Sequence, residues 1–246
     1  MVAPRPIDVS VVVPCLNEYP TLAGLLRLLR TAASLSDARY EVIVVDGGST
    51  DGTTELVGDF GEARLLHSAP SRAVQMNLGA RAARGRALYF VHADARPPLR
   101  CIADVAAATS GVPYAVGGYP FAFDSPSALL RLNAYLTGYN VLSVRGGDQG
   151  IFLSRALFER LGGYDESHAI MEEYDLLRRA GELGVDYQLL SGGRTLVSDR
   201  KYQGRSWARV QLANAEAMVR WRLGHDTLAI RETYLRRLGP RRSPAR

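Results

Sequence analysis

Ala87-Leu88-Tyr89-Phe90-Val91-His92-Ala93-Asp94-Ala95 is the stretch on which the fold turns: apolar and aromatic residues run straight into a polar tripeptide that ends in a carboxylate. A buried strand that stops there puts Asp94 at a strand's carboxyl end, where open α/β sheets place their ligands. Upstream, Ile7 to Val13 is β-branched and ended by Pro14, which predicts another buried strand. Thr21 to Leu35 follows with Leu22, Leu25, Leu26 and Leu29 at helical spacing and Pro20 near its start. The unit then repeats as strand Glu41–Val45, turn-rich loop 46–52, helix Thr53–Phe60, strand Arg64–His67 and helix Arg72–Arg84. Strands alternating with helices predict an α/β fold, a mostly parallel sheet with helices on both faces.

Beyond Asp94 the pattern loosens. Pro97-Pro98 opens a helix toward Thr109, Tyr114–Phe123 reads as a strand, Pro126–Val141 as a helix, and Arg145–Gly150 as a glycine-rich loop leading into the strand Ile151–Leu153. Glycines in such a loop suggest backbone approaching a ligand. Helix Glu172–Leu183, strand Asp186–Leu190 and a long helix from Arg205 to about Leu223 complete the expected elements, with the last dozen residues expected to be disordered.

The 246 residues, 47% hydrophobic and 22% charged, suit one compact domain with appendages. We divide it into a main domain of residues 1–204, whose nucleotide-binding half is about 7–96 and acceptor half about 97–204, and a basic helical extension, 205–246. No window approaches the ~18 uninterrupted apolar residues of a membrane span, and the start lacks a signal-type core, so a cytoplasmic location is expected. Two cysteines make no disulfide framework and read as buried thiols. The net charge of +5 is uneven: residues 194–246 carry 13 Lys+Arg against 4 Asp+Glu, and residues 1–193 carry 17 against 21. An acidic core with a basic end argues against nucleic acid and leaves a phosphate-bearing substrate or an anionic membrane as partners.

Asn17 and Glu18 follow the first strand directly, Asp46 ends the second, Asp51 lies five residues on, and Asp94 ends the fourth. Three carboxylate-bearing loops thus share one sheet edge. Taken singly, Asn17 or Asp51 equally suits a helix cap.

The combination Val-Val-Pro-Cys-Leu-Asn-Glu (12–18), Val-Ile-Val-Val-Asp-Gly-Gly-Ser-Thr-Asp-Gly-Thr (42–53), Ser-Arg-Ala-Val-Gln-Met-Asn-Leu-Gly-Ala (71–80) and His-Ala-Asp (92–94) resembles the family 2 glycosyltransferases of GT-A fold. More narrowly it is similar to a compact bacterial subgroup with a His-Ala-Asp metal motif and a Gly-Asp-Gln-Gly loop, here Gly147–Gly150. The similarity runs from about Val9 to Asn214. It implies an inverting transferase that moves a sugar from a nucleotide-diphosphate sugar, a UDP-sugar first among them, to a hydroxyl acceptor.

By this resemblance Pro14, Asn17, Glu18 and Asp46 line the base pocket, with Asp46 reading the base, and Gln75, Asn77 and His92 touch the nucleotide. Gln75 and Asn77 are two apart and do not share a helix face, so both reaching ligand requires an irregular helix start. Arg72 pairs with phosphate or with Asp94, and Arg200 and Lys201, the single lysine, supply cations to the diphosphate. Asp94 is the matching ligand for a divalent cation, Mg2+ or Mn2+, which offsets charge on the leaving group. His92 departs from the usual Asp-x-Asp. The base falls in Glu172-Glu173, where the family has Glu-Asp; we favour Glu173, then Glu172, then Asp175, the alternative being acidic residues that merely suit a helix N-terminus. Asp148, Gln149 and Trp207 are assigned to the acceptor site, with Tyr202, Phe121, Phe123, Asn140 and Arg145 around it.

Two other functions compete: a non-catalytic nucleotide-sugar binding protein, and a sugar-1-phosphate nucleotidyltransferase, which should begin with a glycine- and arginine-rich phosphate loop that residues 13–18 lack. The extension, mixing arginines with Trp207, Val210, Leu212, Met218, Val219 and Trp221, either lies on the inner face of a membrane or covers the core or a homodimer partner.

Overall fold

The computed structural model describes residues 5–136 and 149–239. Its first half follows the sequence pattern closely: β1 (Val9–Cys15), α1 (Tyr19–Ser34), β2 (Tyr40–Asp46), α2 (Thr53–Phe60), β3 (Ala63–His67), α3 (Arg72–Ala82) and β4 (Ala87–Phe90). The second half holds α4 (Cys101–Thr109), β5 (Val116–Gly118), β6 (Phe121–Phe123), α5 (Ala128–Leu136), β7 (Ile151–Ser154), α6 (Arg155–Arg160), α7 (Glu172–Glu182), β8 (Tyr187–Leu189), β9 (Thr195–Val197), α8 (Trp207–Arg222) and α9 (Thr227–Leu238).

Seven strands form one sheet in the order β3-β2-β1-β4-β7-β5-β8, with β7 antiparallel to both neighbours and the other pairs parallel. β1 reads as a continuous apolar run because both its faces are covered. Val9, Val11, Val13 and Cys15 pack with Leu22, Leu25, Leu26 and Leu29 of α1, and with Val57 and Ile102. Val12 joins Met76 and Ala80 of α3 with Leu157, Leu176 and Leu177 on the other side. The result is a three-layer α/β/α fold. The chain winds from β1 outward to β3 and then returns to β4, so a topological switch point lies between the carboxyl ends of β1 and β4.

Three expectations need correction. Pro14 does not end the first strand, which runs through it to Cys15. Tyr114–Phe123 is not one strand: Tyr119 and Pro120 break it, β5 joins the main sheet and β6 pairs with β9 in a separate two-stranded sheet. Proline lacks the N–H that a continuing ladder needs. The last dozen residues are not wholly irregular, since α9 continues to Leu238, capped at its start by Asp226, whose carboxylate accepts from Ala229 N at 2.9 Å. α6 and β9 are further elements the pattern did not suggest. The end of the helix expected over 126–141, and residues 145–148 of the glycine-rich loop, lie outside the described residues.

α8 and α9 form an antiparallel pair that closes on the main body. Ala217 and Ile230 pack with Met171 and against Ile170, Tyr174, Met218 and Trp221, so the basic extension braces the start of α7. Among the described residues no helix is long and apolar enough to cross a membrane.

Candidate active site

The loops after β1 and β2 are tied to each other. Asn17 takes a left-handed backbone, φ 55°, and its Oδ1 accepts from Thr50 N at 2.9 Å while its N–H donates to Ser49 Oγ at 2.8 Å. Asp51 accepts from the N–H groups of Tyr19 and Thr53, each at 3.1 Å, at the starts of α1 and α2. Asp46, buried, accepts from Gly48 N at 2.9 Å, Ser49 N at 3.0 Å and the Ser49 hydroxyl. Burial alone would raise its carboxyl, but the hydrogen bonds from Ser49 and Gly48 hold it below the ordinary value.

Those bonds hold the Asp46 carboxylate against its own loop. Pro14 is likewise buried within β1. Gln75 points at the strand ends, its Nε2 donating to Cys15 O at 2.8 Å and Val45 O at 2.7 Å. Asn77 points the other way: its Oδ1 accepts from Tyr164 N at 2.9 Å, and its Nδ2 donates to Tyr164 O at 2.8 Å and Glu166 Oε1 at 2.9 Å. The two therefore diverge as their spacing implies, and the amide of Asn77 is taken up within the fold.

At the end of β4 the chain forks. Asp94 meets Arg200, whose Nη2 donates to Asp94 Oδ2 at 2.7 Å and to both oxygens of Glu18, at 3.0 and 3.1 Å. What brings Arg200 there is β9: Arg96 and Leu196 exchange backbone hydrogen bonds of 2.8 and 2.9 Å, laying the segment after β9 across the segment after Asp94. A cleft of about 150 Å³ opens beside it, lined by Thr21, Asp94, Arg96, Asp124 and Asp199 among others. Arg96, Asp124 and Asp199 were not foreseen, because their only signal is the unrecognised pairing of Arg96 with Leu196.

The other branch leads to α7. His92 Nε2 lies 3.3 Å from Glu173 Oε1, and Arg72 Nη1 lies 3.5 Å from Glu172 Oε1 and 3.7 Å from Glu173 Oε1. Both glutamates are buried. Burial and the charge of Glu173 push the Glu172 carboxyl up to about 7. Burial also opposes charge on Glu173, but His92 and Arg72 outweigh it and hold that carboxyl below the ordinary value. The pair is aimed inward by Met171, a non-glycine residue at φ 72°, φ/ψ space that costs ~1–3 kcal/mol and persists only where surroundings over-determine it. Here Ala217 and Ile230 do so. Asp175 drops out as a base, since its two oxygens accept from Arg178 Nη2 at 2.8 Å and Arg179 Nε at 2.7 Å.

Three further candidate residues stand in other surroundings. Lys201 turns to the C-terminal helices, donating to Asn214 Oδ1 at 2.9 Å with its ammonium 5.2 Å from the centre of the Tyr234 ring. Gln149 is fully buried, its Oε1 accepting from the Tyr187 hydroxyl at 3.3 Å. Trp207 opens α8 with its indole N–H buried. Asp148, Asn140 and Arg145 lie outside the described residues.

No cluster of three metal-ligating side chains occurs among the described residues. Asp94 nonetheless is a partly exposed carboxylate, the hard oxygen donor suited to a cation that takes its other oxygens from a diphosphate, and in this structure Arg200 pairs with it. His92 turns its Nε2 to Glu173 rather than toward that point.

Residues 10–153 match the family described as Glycosyl transferase family 2. The chain is 28% identical over 200 residues to the succinoglycan biosynthesis protein ExoA of Rhizobium meliloti, covering 71% of this chain and 58% of that protein. A mannosyltransferase of Pyrobaculum calidifontis, solved in complex with GDP-Man and Mn2+, superposes with a TM-score of 0.62 at 22% identity, over 85% of this chain and 63% of the other. TarS 1–349 of S. aureus in complex with UDP gives 0.64 at 16%, over 94% and 71%. The chain thus spans less than two thirds of the curated relatives it matches. With the GT-A arrangement of strands and a family match covering more than half of its residues, the chain belongs to glycosyltransferase family 2.

Proposed function

We propose that the chain is an inverting glycosyltransferase that moves a sugar from a nucleotide-diphosphate sugar to a hydroxyl acceptor in one displacement. The observation that carries this reading is the fork after β4, where His92 reaches Glu173 on one side and Asp94 reaches Arg200 on the other. One branch supplies a proton acceptor, the other a place for the leaving group.

In this reading Glu173 takes the proton of the acceptor hydroxyl as its oxygen attacks the anomeric carbon and the sugar–phosphate bond breaks on the opposite face. A low carboxyl pKa keeps Glu173 charged at neutral pH, ready for that proton. His92 holds it in place, so two departures from the family pattern, histidine for aspartate at 92 and glutamate for aspartate at 173, complement each other: the longer carboxylate reaches the imidazole. Asp94 would hold a divalent cation, which when bound would supply positive charge to the departing diphosphate, worth several kcal/mol in the transition state. Arg200 and Arg72, the latter with a half-exposed side chain, stand on the two sides of the fork to receive anionic oxygens. Donors based on UDP and on GDP are the first to test, since structural neighbours were solved with each.

The test is release of nucleoside diphosphate from a panel of donors with Mg2+ or Mn2+, in wild type and Asp94→Ala, with the anomeric configuration of any product read by NMR. Turnover lost in Asp94→Ala and on chelation, with inversion, is expected. Nucleotide binding without turnover for any donor would instead favour the non-catalytic reading.

A further inference from the structure

We propose that Arg200 is the resident counter-ion of the metal position: its Nη2 marks the point a divalent ion takes, Glu18 supplies a second carboxylate there beside Asp94, and the ion enters by displacing Arg200. This rests on the reading of Asp94 as metal carboxylate. The geometry behind it is that one nitrogen serves both acids, at 2.7 Å from Asp94 Oδ2 and at 3.0 and 3.1 Å from the two oxygens of Glu18. Two carboxylates from different strand ends therefore converge on one cationic atom. Thr21 fixes the second of them, its hydroxyl donating to Glu18 Oε2 at 2.7 Å.

A guanidinium stays charged at any working pH, so a free divalent ion approaching Asp94 meets a positive charge already at contact distance. A nucleoside diphosphate changes the balance, because its oxygens offer Arg200 new acceptors. The Arg200 side chain can follow them by changing rotamer, while its segment stays anchored through Lys201, which donates to Asn214 Oδ1 at 2.9 Å, and through the Tyr202 hydroxyl, which accepts from Gln211 Nε2 at 3.1 Å. Ion and nucleotide should therefore bind with positive coupling, each making room for the other. The absence of a third carboxylate or imidazole among the described residues fits a site completed by the nucleotide.

The experiment is an Mn2+ titration of the full chain at neutral pH, with free Mn2+ counted by electron paramagnetic resonance, without nucleotide and with saturating UDP. Wild type is expected to bind Mn2+ at least tenfold more tightly with UDP than without. Arg200→Gln and Arg200→Met, two neutral variants of a half-exposed side chain, should bind Mn2+ alone at least tenfold more tightly than wild type, and Glu18→Gln added to either should remove that gain. Neutral variants that bind Mn2+ no more tightly than wild type overturn the proposal, as does a gain that survives Glu18→Gln. If Asp94→Asn in the otherwise wild-type chain leaves Mn2+–UDP binding unchanged, the metal reading of Asp94 itself fails and takes this proposal with it.

Discussion

Replacing Asn77 by alanine separates a structural amide from a nucleotide contact, and the structure sets the size of the effect. The substitution removes three hydrogen bonds and strands the N–H and C=O of Tyr164, a residue 2% exposed whose ring lies 5.1 Å from Phe90 and 5.8 Å from Phe158. Leaving a buried polar group unsatisfied costs ~1–3 kcal/mol, so two such groups give a loss of about 2–6 kcal/mol, the low end applying where water enters the vacated space. That is a large fraction of the ~5–15 kcal/mol by which domains are stable. Urea unfolding followed by circular dichroism reads the loss as a lower midpoint at unchanged slope. UDP affinity of the folded protein, measured by calorimetry well below the transition, should stay within twofold. A stability change under ~1 kcal/mol together with a tenfold loss of UDP affinity would refute the assignment and return Asn77 to the nucleotide.

Other outcomes follow from the same geometry. With Glu173 as base, facing His92, Arg72 and Glu172, kcat/KM should stay flat as pH falls from 8 to 6; an acid limb near 7 would instead point to Glu172, whose carboxyl lies there. Because the Glu172 pKa is raised in the fold, the unfolded chain gives up its proton first, so stability falls as pH rises from 4.5 to about 7, and Glu172→Gln should abolish that slope in urea melts at pH 5 and 8. Gly79→Ala would gain ~1 kcal/mol of helix propensity, yet its Cβ would stand 2.4 Å from Val12 Cγ1 and 3.1 Å from Val45 Cγ2, and overpacking of ~1–3 kcal/mol should win, lowering Tm. The outward side of α8 exposes Leu212 and Val219, with Arg209, Arg236 and Arg237 around the groove between α8 and α9; sedimentation with anionic vesicles should be salt-sensitive and lost in Leu212→Glu/Val219→Glu, whereas loss of a dimer in light scattering would assign this face to a second copy.

The strands and helices up to Asp94 were legible because their signals are local: a β-branched run, leucines at helical spacing, a loop rich in glycine and aspartate. Asp94 at a strand end and Glu172-Glu173 at a helix start were likewise placed by their adjacent residues, while the roles expected of them came from the family resemblance. What stayed hidden depends on partners remote in sequence. A strand of three residues, Thr195–Val197, has no period to detect, yet its bridge to Arg96 delivers Arg200 to Asp94. Lys201, one residue on, faces the opposite way because Asn214 and Tyr234 of helices further along receive it. Polar residues on a helix look alike until it is known which end of the sheet they meet, so the opposite hydrogen-bond partners of Gln75 and Asn77 were not readable from their spacing. The His92–Glu173 contact is of the same kind: each residue alone looks like an exception, and only the fold makes them a pair.

The two cysteines give the fold a clock. Cys15, whose thiol donates to Val45 O at 3.6 Å, and Cys101 are both buried, and burial raises each thiol to about 12. At pH 8 roughly one thiol in ten thousand is then a thiolate, so alkylating reagents stay silent on the native molecule and label it only when it opens. Cys15 is the last residue of the central strand β1, paired with Asp46 of β2, and Cys101 is the first residue of α4. Timing the two labels by mass spectrometry would therefore distinguish opening of the central strands from peeling of a single helix, with no engineered probe.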